Sequence, residues 1–324
     1  MRRSRTLALG TLGAALLLAG VCATRRDAER PRALAQLRGT LVSAETTFSG
    51  MRGRYAGYRV KLVSSSGLVA TGRLLRPGRP EALPDAAQRG QRGHRHAAAL
   101  LNDGRELNSA ALEYLPPEFG DVVVLSLDYP AEIPYEIHIS TLLFRGDQMR
   151  GWARRISASF SLGAEYLAAR SDVDSSRLAI VATSFAVPFA VAAAARDERF
   201  RSVGLIYGAG DFARVLEANL RLRPAALRRL VAWLVTRPLR ELEPERLVGR
   251  IAPRPLVMVN GVDDPQMPRE AVEALYDAAR EPKTIVWMRT GHLMPTDSAL
   301  IRVLVDTTLA RMPMLGGSPQ SSNR

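Results

Sequence analysis

Cysteine is nearly absent from this chain. Its 324 residues include one, Cys22, so no internal disulfide bond can form. The composition, 47% hydrophobic and 24% charged, allows a substantial core and excludes global disorder. The length permits one large domain or two small ones. Because no internal repeat and no second core pattern is visible, the sequence predicts one main domain.

Lysine is also scarce. Only Lys61 and Lys283 are lysines, and the other 43 of the 45 basic residues are arginines. The net charge of +13 is of the sign that nucleic acids attract. However, the arginines are scattered along the chain and no recognisable nucleic-acid-binding module accompanies them. The sequence therefore predicts no nucleic-acid partner.

The N-terminus carries an export pattern. A basic start, MRRSR, precedes TLALGTLGAALLLAGV, which is uncharged and mostly apolar over 16 residues. Residues 1–24 are therefore expected to be a signal peptide or membrane anchor rather than part of the fold. Three outcomes stay open: cleavage after Ala23, lipidation of Cys22, or an uncleaved anchor slightly shorter than the ~20 residues of a membrane span. In a bacterium, each places the protein outside the cytoplasm or on the membrane's outer face, with membrane association through this segment.

The remaining pattern predicts an α/β fold. Residues 25–50 are Arg-rich and are expected to form a linker with a short helix. YRVKLVSSSGLVATGRLLRP then indicates an antiparallel hairpin. Apolar strands alternate with helices beyond it, which predicts a mostly parallel sheet with helices on both faces. We expect the domain to span residues 51–313 with a helical insertion at 212–249, and residues 314–324 to be disordered.

The chain has only four histidines: His94, His96, His138 and His292. His94 and His96 form His-Arg-His, but no acidic or cysteine partner lies at metal-ligand spacing, so no metal site is expected. His138 lies in an irregular stretch and is interpreted as structural. His292 directly follows the strand TIVWMRTG, at the sheet edge where open α/β sheets build their sites. It is the candidate base.

Acidic residues follow another strand at the same edge. Asp263 and Asp264 lie in VNGVDDPQMP. Aspartate before proline is ordinary turn chemistry, but a carboxylate here can also orient a histidine and stabilise its charged form. Asp211, after YGAG, is the rival acid.

The candidate nucleophile lies in LAIVATSFAVPFAVAAAA, where Ser184 is at the corner between a strand and a helix. Such a turn exposes the hydroxyl and places the next backbone N–H at a helix start, ready to stabilise an oxyanion. The usual small glycines are missing, since Ala182 and Ala186 occupy their positions. Taken alone, the motif also fits a serine that ends a strand by chance.

The three motifs together are more specific, because Ser184, Asp264 and His292 appear in the chain order of an α/β-hydrolase triad. From Tyr58 to the final helix, the chain resembles the α/β-hydrolase superfamily. It looks most like bacterial serine esterases of the dienelactone-hydrolase and prolyl-oligopeptidase-like branch. PRPLVMVNGVDDPQMP is similar to the family's acid loop and RTGHLMP to its histidine loop. In that loop the family places the aspartate as the fourth residue counted from a glycine and four residues before a proline. Gly261, Asp264 and Pro268 match this spacing, which favours Asp264 over Asp263.

The resemblance implies that Ser184 is the nucleophile, His292 the base and Asp264 the residue that orients it. It implies hydrolysis of a small-molecule carboxylic ester, or a thioester or amide, through an acyl-enzyme, with no cofactor. The altered turn around Ser184 motivates the alternative, a catalytically silent hydrolase-fold protein that serves as a binding or scaffold protein of the cell envelope.

The resemblance also implies an oxyanion hole. The backbone N–H of Phe185 is one expected donor. The second comes from the loop after HAAALLN, where the family often has His-Gly and this chain has Asp103-Gly104. By position that donor is the Arg105 N–H, with Gly104 next in line.

The helical insertion contains PAALRRLVAWLVTRP. This places Leu227, Leu230, Val231 and Leu234 on one helix face. Three interpretations stay open: a helix that packs on the body, a lid whose apolar face lines a pocket, or a surface that contacts anionic lipid.

Overall fold

The structure is a computed structural model. It describes residues 30–80, 95–104, 107–115, 120–133, 145–294, 297–312 and 315. The predicted signal or anchor at 1–24 lies outside the described residues, as do Cys22, His94, Arg105 and His138. In the described part of the chain, no helix is long and apolar enough to cross a membrane.

One nine-stranded sheet forms the centre of the described fold. Its strands are β1 (Leu41–Arg52), β2 (Tyr55–Ser64), β3 (Val69–Pro77), β4 (His96–Asn102), β5 (Val122–Leu127), β6 (Val173–Thr183), β7 (Ser202–Ile206), β8 (Leu256–Gly261) and β9 (Lys283–Met288). They lie in the order β1-β2-β3-β5-β4-β6-β7-β8-β9. The first three pair antiparallel, and β3 also runs antiparallel to β5. From β5 to β9 all pairs are parallel.

Helices surround this sheet. They are α1 (Arg30–Arg38), α2 (Gly146–Ala169), α3 (Val187–Ala194), α4 (Phe212–Asn219), α5 (Ala225–Thr236), α6 (Pro244–Leu247), α7 (Arg269–Ala278) and α8 (Ser298–Ala310). Two separate apolar clusters lie on the two faces of the sheet. The larger includes residues of α2, α3 and α7, and the smaller includes residues of α8.

The parallel strands are buried on both faces, which explains their continuous apolar sequences. In β4, Ala98 and Leu100 belong to the larger cluster, whereas Ala97, Ala99 and Leu101 belong to the smaller one. Successive side chains of a strand point to opposite faces. The predicted α/β class, with helices on both faces and an antiparallel start, is confirmed.

One boundary prediction is wrong. The expected short helix is present as α1, but residues 41–50, expected as linker, form most of β1 and pair along β2. The sheet therefore starts before residue 51. Most side chains of β1 are exposed, so this edge strand lacks the apolar alternation by which a half-buried strand is recognised. Of the tail expected to be disordered, the structure describes Leu315, which is buried in the smaller apolar cluster. The other residues of 314–324 lie outside the described residues.

Candidate active site

Ser184 lies on a sharp turn between β6 and α3. Its φ of 49° is in the left-handed region, which non-glycine residues seldom adopt and which recurs at functional sites. A 3₁₀ turn over Ser184–Ala186 leads from the strand into the helix. Ala182 and Ala186 are both fully buried beside it. The strained turn is therefore formed with alanine at both positions where glycine is usual.

The structure brings Ser184, His292 and Asp264 together. The Ser184 Oγ lies 3.1 Å from Nε2 of His292, and Nδ1 of the same ring lies 2.7 Å from Oδ2 of Asp264. Because a carboxylate only accepts hydrogen bonds, Nδ1–H donates to Asp264. Nε2 is then an acceptor for the serine hydroxyl, which is the tautomer that a general base requires.

Asp264 is held rigidly, and the rival acids lie elsewhere. Its Oδ1 accepts the backbone N–H groups of Gln266 at 2.8 Å and Met267 at 3.2 Å, while its side chain is almost completely buried. The adjacent Asp263 is exposed. Asp211 caps α4 by accepting the N–H of Arg214 at 3.1 Å.

Tyr207 also contacts the histidine, and sequence reasoning missed it. Its ring centroid lies 5.0 Å from that of His292, and its hydroxyl lies 3.1 Å from Oγ1 of Thr290. Burial raises the pKa of Tyr207, which favours the neutral phenol. The approach of the histidine loop requires Gly261, because a Cβ there would lie 2.4 Å from the Thr290 carbonyl oxygen. The sequence feature that could have identified Tyr207 is its position directly after the strand RSVGLI.

A second tyrosine, Tyr129, supports the expected oxyanion region and was also missed. Its hydroxyl donates to the carbonyl oxygen of Asp103, and its ring packs edge-on against Phe185 at 5.4 Å between centroids. The Asn102 amide donates to the Leu127 carbonyl at 2.7 Å, which ties the end of β4 to the end of β5. The buried Tyr129 side chain thus contacts both Asp103, next to the expected donor Gly104, and Phe185, which carries the other expected oxyanion donor.

An apolar cavity of about 430 Å³ adjoins Ser184. Its lining includes Trp152 and Ile156 of α2, Phe212 and Leu216 of α4, and Val235 of α5. None of the described residues that line it carries a charge. Such a space can take an apolar group next to the serine hydroxyl.

The helical insertion covers this cavity, but not through the predicted face of α5. Ala232 and Val235 are the buried residues of the helix, whereas Leu227 is 44% exposed and Leu230 is 57% exposed. Val231 and Leu234 of the predicted face are partly buried, so the interpretation in which all four residues of that face pack on the body is wrong. The packing face is one-third of a turn away and is built from smaller side chains, so apolarity alone did not identify it.

Two glutamates hold the start of α4 at the base of the insertion. Glu245 Oε2 accepts the N–H of Asp211 at 2.9 Å, and Glu243 Oε1 accepts that of Phe212 at 3.1 Å. Burial raises the pKa of Glu243 to about 7, and the carboxylates of Glu245 and Asp211 add to this rise, while the Phe212 N–H and Arg246 oppose it. Below about pH 7, Glu243 therefore favours its neutral form in the folded protein.

Removing the charge of Glu243 is expected to stabilise the protein at alkaline pH. The folded-state pKa lies above the ordinary value of 4.5, so the stability that Glu243 contributes is complete below 4.5 and is lost as the pH rises through about 7. Glu243→Gln keeps an acceptor for the Phe212 N–H without the charge. At pH 8 we expect its unfolding free energy to exceed that of the parent by about 1–2 kcal/mol, which is less than the full pKa shift corresponds to because solvent screens this partly exposed side chain. At pH 4 we expect no difference. Urea unfolding at both pH values measures this.

The matched control is Glu198→Gln, which removes an exposed carboxylate. It should leave the pH dependence of the parent unchanged. Equal stability of Glu243→Gln and the parent at pH 8 would contradict the assignment of a raised pKa to Glu243.

The remaining described histidine, His96, begins β4 and pairs with Asp121, with 2.9 Å between Nδ1 and Oδ1. Among the described residues, no group of three or more His, Cys, Asp or Glu side chains could hold a metal ion.

The sheet order, the parallel core and the serine on the turn after β6 define an α/β-hydrolase fold. Solved structures of low sequence identity share this fold. The likeness establishes the architecture, while membership of the superfamily and of a branch within it stays a prediction.

Three of these solved structures show the extent of the likeness. An acetyl xylan esterase from a Paenibacillus species has a TM-score of 0.63 and 18% identity, over 86% of this chain and 92% of that one. An acetyl xylan esterase from a Thermoanaerobacterium species has a TM-score of 0.60 and 18% identity, over 85% and 91%. An α/β hydrolase from a Penicillium species has a TM-score of 0.51 and 17% identity, over 79% and 99%. No protein-family model and no curated protein sequence matches the chain.

Proposed function

We propose that the protein is a serine hydrolase that cleaves carboxylic esters through an acyl-enzyme. The observation that carries this proposal is the continuous hydrogen-bonded chain from Ser184 Oγ through His292 to Asp264, at 3.1 Å and 2.7 Å. A serine hydroxyl is a weak nucleophile until an adjacent base removes its proton. The esterase names of similarly folded proteins support the same chemistry.

Acylation begins when Ser184 Oγ attacks the ester carbonyl carbon while Nε2 of His292 takes the hydroxyl proton. Asp264 stabilises the imidazolium that forms. Backbone N–H groups of Phe185 and of Gly104 or Arg105 donate to the oxyanion of the tetrahedral intermediate. The carbon–oxygen bond to the alcohol then breaks, and His292 gives its proton to the leaving alkoxide.

Deacylation repeats these steps with water. Nε2 of His292 takes a proton from water, and the resulting hydroxide oxygen attacks the acyl carbonyl. The bond to Ser184 breaks, the serine recovers its proton from His292, and the carboxylic acid leaves. The two half-reactions together convert one ester and one water into a carboxylic acid and an alcohol, and no step in them draws on a cofactor.

The cavity beside Ser184 favours an apolar acyl group longer than acetate. Apolar side chains of α2, α4 and α5 line it. An acyl chain that enters the cavity therefore leaves water without desolvating a charged group of the lining. Each buried methylene contributes about 0.8 kcal/mol. The acyl chain is therefore proposed as the part of the substrate that the insertion recognises.

Hydrolysis of a series of p-nitrophenyl esters tests both the proposed reaction and the recognition of the acyl chain by the cavity. If all four methylenes that separate hexanoate from acetate enter the cavity, they are expected to raise kcat/KM by about two hundredfold. Val235→Phe, which fills part of the cavity, should reduce the rate on hexanoate more than that on acetate. Val303→Phe, on the exposed face of α8, is the matched control.

The possible outcomes separate the two points. No hydrolysis of any ester by the folded protein would contradict the proposed reaction. Equal rates on acetate and hexanoate would contradict only the role of the cavity. We also propose that, in a bacterium, the protein lies outside the cytoplasm or on the outer face of the membrane, because an uncharged, mostly apolar segment follows the basic N-terminus.

A further inference from the structure

Helix α5 presents large apolar side chains to solvent. Leu227, Leu230 and Trp233 are 44%, 57% and 50% exposed. Because they are spaced three residues apart, they lie within one third of the helix circumference. The opposite side carries the buried Ala232 and Val235. We call Leu227, Leu230 and Trp233 the outer face of α5.

Arginines outnumber the acidic residues around the outer face. Residues 211–246 contain eight arginines and five acidic residues, and three of those acids, Asp211, Glu243 and Glu245, line the same surface pocket as Trp233. The guanidinium of Arg237 lies over the Trp233 ring, 4.3 Å from its centroid. Arg228 and Arg229 both approach the same carboxylate oxygen of Glu217, at 3.6 Å and 3.1 Å. One acid near the helix thus serves two arginines, and the region keeps an excess of cations.

We propose that the outer face of α5 docks on an anionic phospholipid surface. Leucine and tryptophan side chains on a helix enter the boundary between headgroups and acyl chains, and flanking arginines contact lipid phosphates. The partner has to supply negative charge around an apolar interior, and an anionic bilayer combines both. A second copy of this chain fits poorly, because a symmetric contact would bring the arginines of two copies together.

Docking would also orient the cavity. Val235 and Thr236, on α5 and at its end, line the space beside Ser184, while the outer face of the same helix points away from it. A membrane-docked α5 therefore brings the covered cavity next to the lipid phase. Docking itself needs no hydrolysis, so it is tested separately from the proposed reaction.

Trp233 is a local probe of this contact. The chain has three tryptophans, of which Trp152 is buried and Trp287 is partly buried beneath Arg269. The predicted N-terminal signal or anchor contains no tryptophan. Quenching of emission by lipids brominated on their acyl chains therefore reports on α5 even if the N-terminal segment also binds the membrane.

The experiment mixes the full chain with vesicles of brominated phosphatidylglycerol or brominated phosphatidylcholine. We expect quenching and a blue shift with phosphatidylglycerol only, and Trp233→Phe should remove about half or more of the quenching. Leu230→Glu should also weaken it. Val303→Glu, a matched change on the exposed face of α8, should not alter it.

Four outcomes would overturn the proposal. The first is a vesicle-bound protein whose Trp233 emission is not quenched. The second is equal quenching with the zwitterionic lipid, and the third is equal loss of quenching in Val303→Glu and Leu230→Glu. The fourth is a concentration-dependent blue shift of Trp233 without lipid, together with a doubled mass by light scattering, because a second copy would then cover α5.

Discussion

Replacement of Ser184 by alanine is expected to reduce kcat for ester hydrolysis by about four to six orders of magnitude. The variant lacks the oxygen that forms the acyl-enzyme, and water has to attack the ester without a covalent intermediate. A fluorophosphonate probe, which phosphonylates activated serines, should add one mass adduct to the parent and none to Ser184→Ala. Hydrolysis of p-nitrophenyl hexanoate and the intact mass of the protein measure the two effects.

Ser176→Ala is the matched control for this change. Ser176 lies near the start of β6, and its hydroxyl donates to Asp174 at 2.6 Å, so the same chemical change occurs in the same strand far from the turn. Its activity and labelling should equal those of the parent. Hydrolysis that survives Ser184→Ala would mean that another residue is the nucleophile. A folded parent that the probe does not label would contradict a serine hydrolase.

Replacement of Asp264 by asparagine is expected to reduce kcat by about 10⁴-fold. The carboxylate accepts the Nδ1–H of His292 at 2.7 Å. An amide –NH₂ facing that ring would donate to Nδ1 and so place the histidine proton on Nε2, where it cannot receive the serine proton. The amide oxygen can still accept the N–H groups of Gln266 and Met267, so the acid loop should stay folded. Steady-state kinetics and thermal unfolding of the variant measure these expectations.

The neighbouring Asp263 provides the control for the acid. Asp263→Asn makes the same change one residue earlier, at an exposed position of the same loop. It should retain kcat within a small factor. If Asp263→Asn lost activity and Asp264→Asn kept it, the proposed orienting acid would be wrong.

Most of the fold was predictable because the central strands are buried on both faces. A strand such as β5 is buried at every position and apolar at all of them but Ser126, and such runs separated by helical patterns indicate a parallel sheet. The outermost strand β1 was missed for the opposite reason. Its side chains are mostly exposed, and it is a strand because it pairs along its length with β2. Backbone pairing at an edge leaves little trace in side-chain polarity.

The three hydrogen-bonded side chains of the candidate site were predictable, whereas the tyrosines that contact them and their neighbours were not. Ser184, Asp264 and His292 each follow a strand of the parallel sheet, and the carboxyl ends of such strands meet at one edge. Tyr129 and Tyr207 belong to other segments and act through contacts with Asp103, Phe185 and the His292 ring. Side chains that act only through tertiary contacts form no sequence motif, because residues that touch in the fold can lie anywhere along the chain.

The sequence by itself determined the class of fold and the three side chains that meet beside the cavity, because strand order and chain direction constrain where parallel strands end. It also determined that α5 is a helix. Only the tertiary structure decided which side of α5 faces the body. Helix periodicity shows that one face is apolar, but the neighbouring elements decide which face is covered. Here the small side chains Ala232 and Val235 allow close packing, and the larger Leu230 and Trp233 remain at the surface.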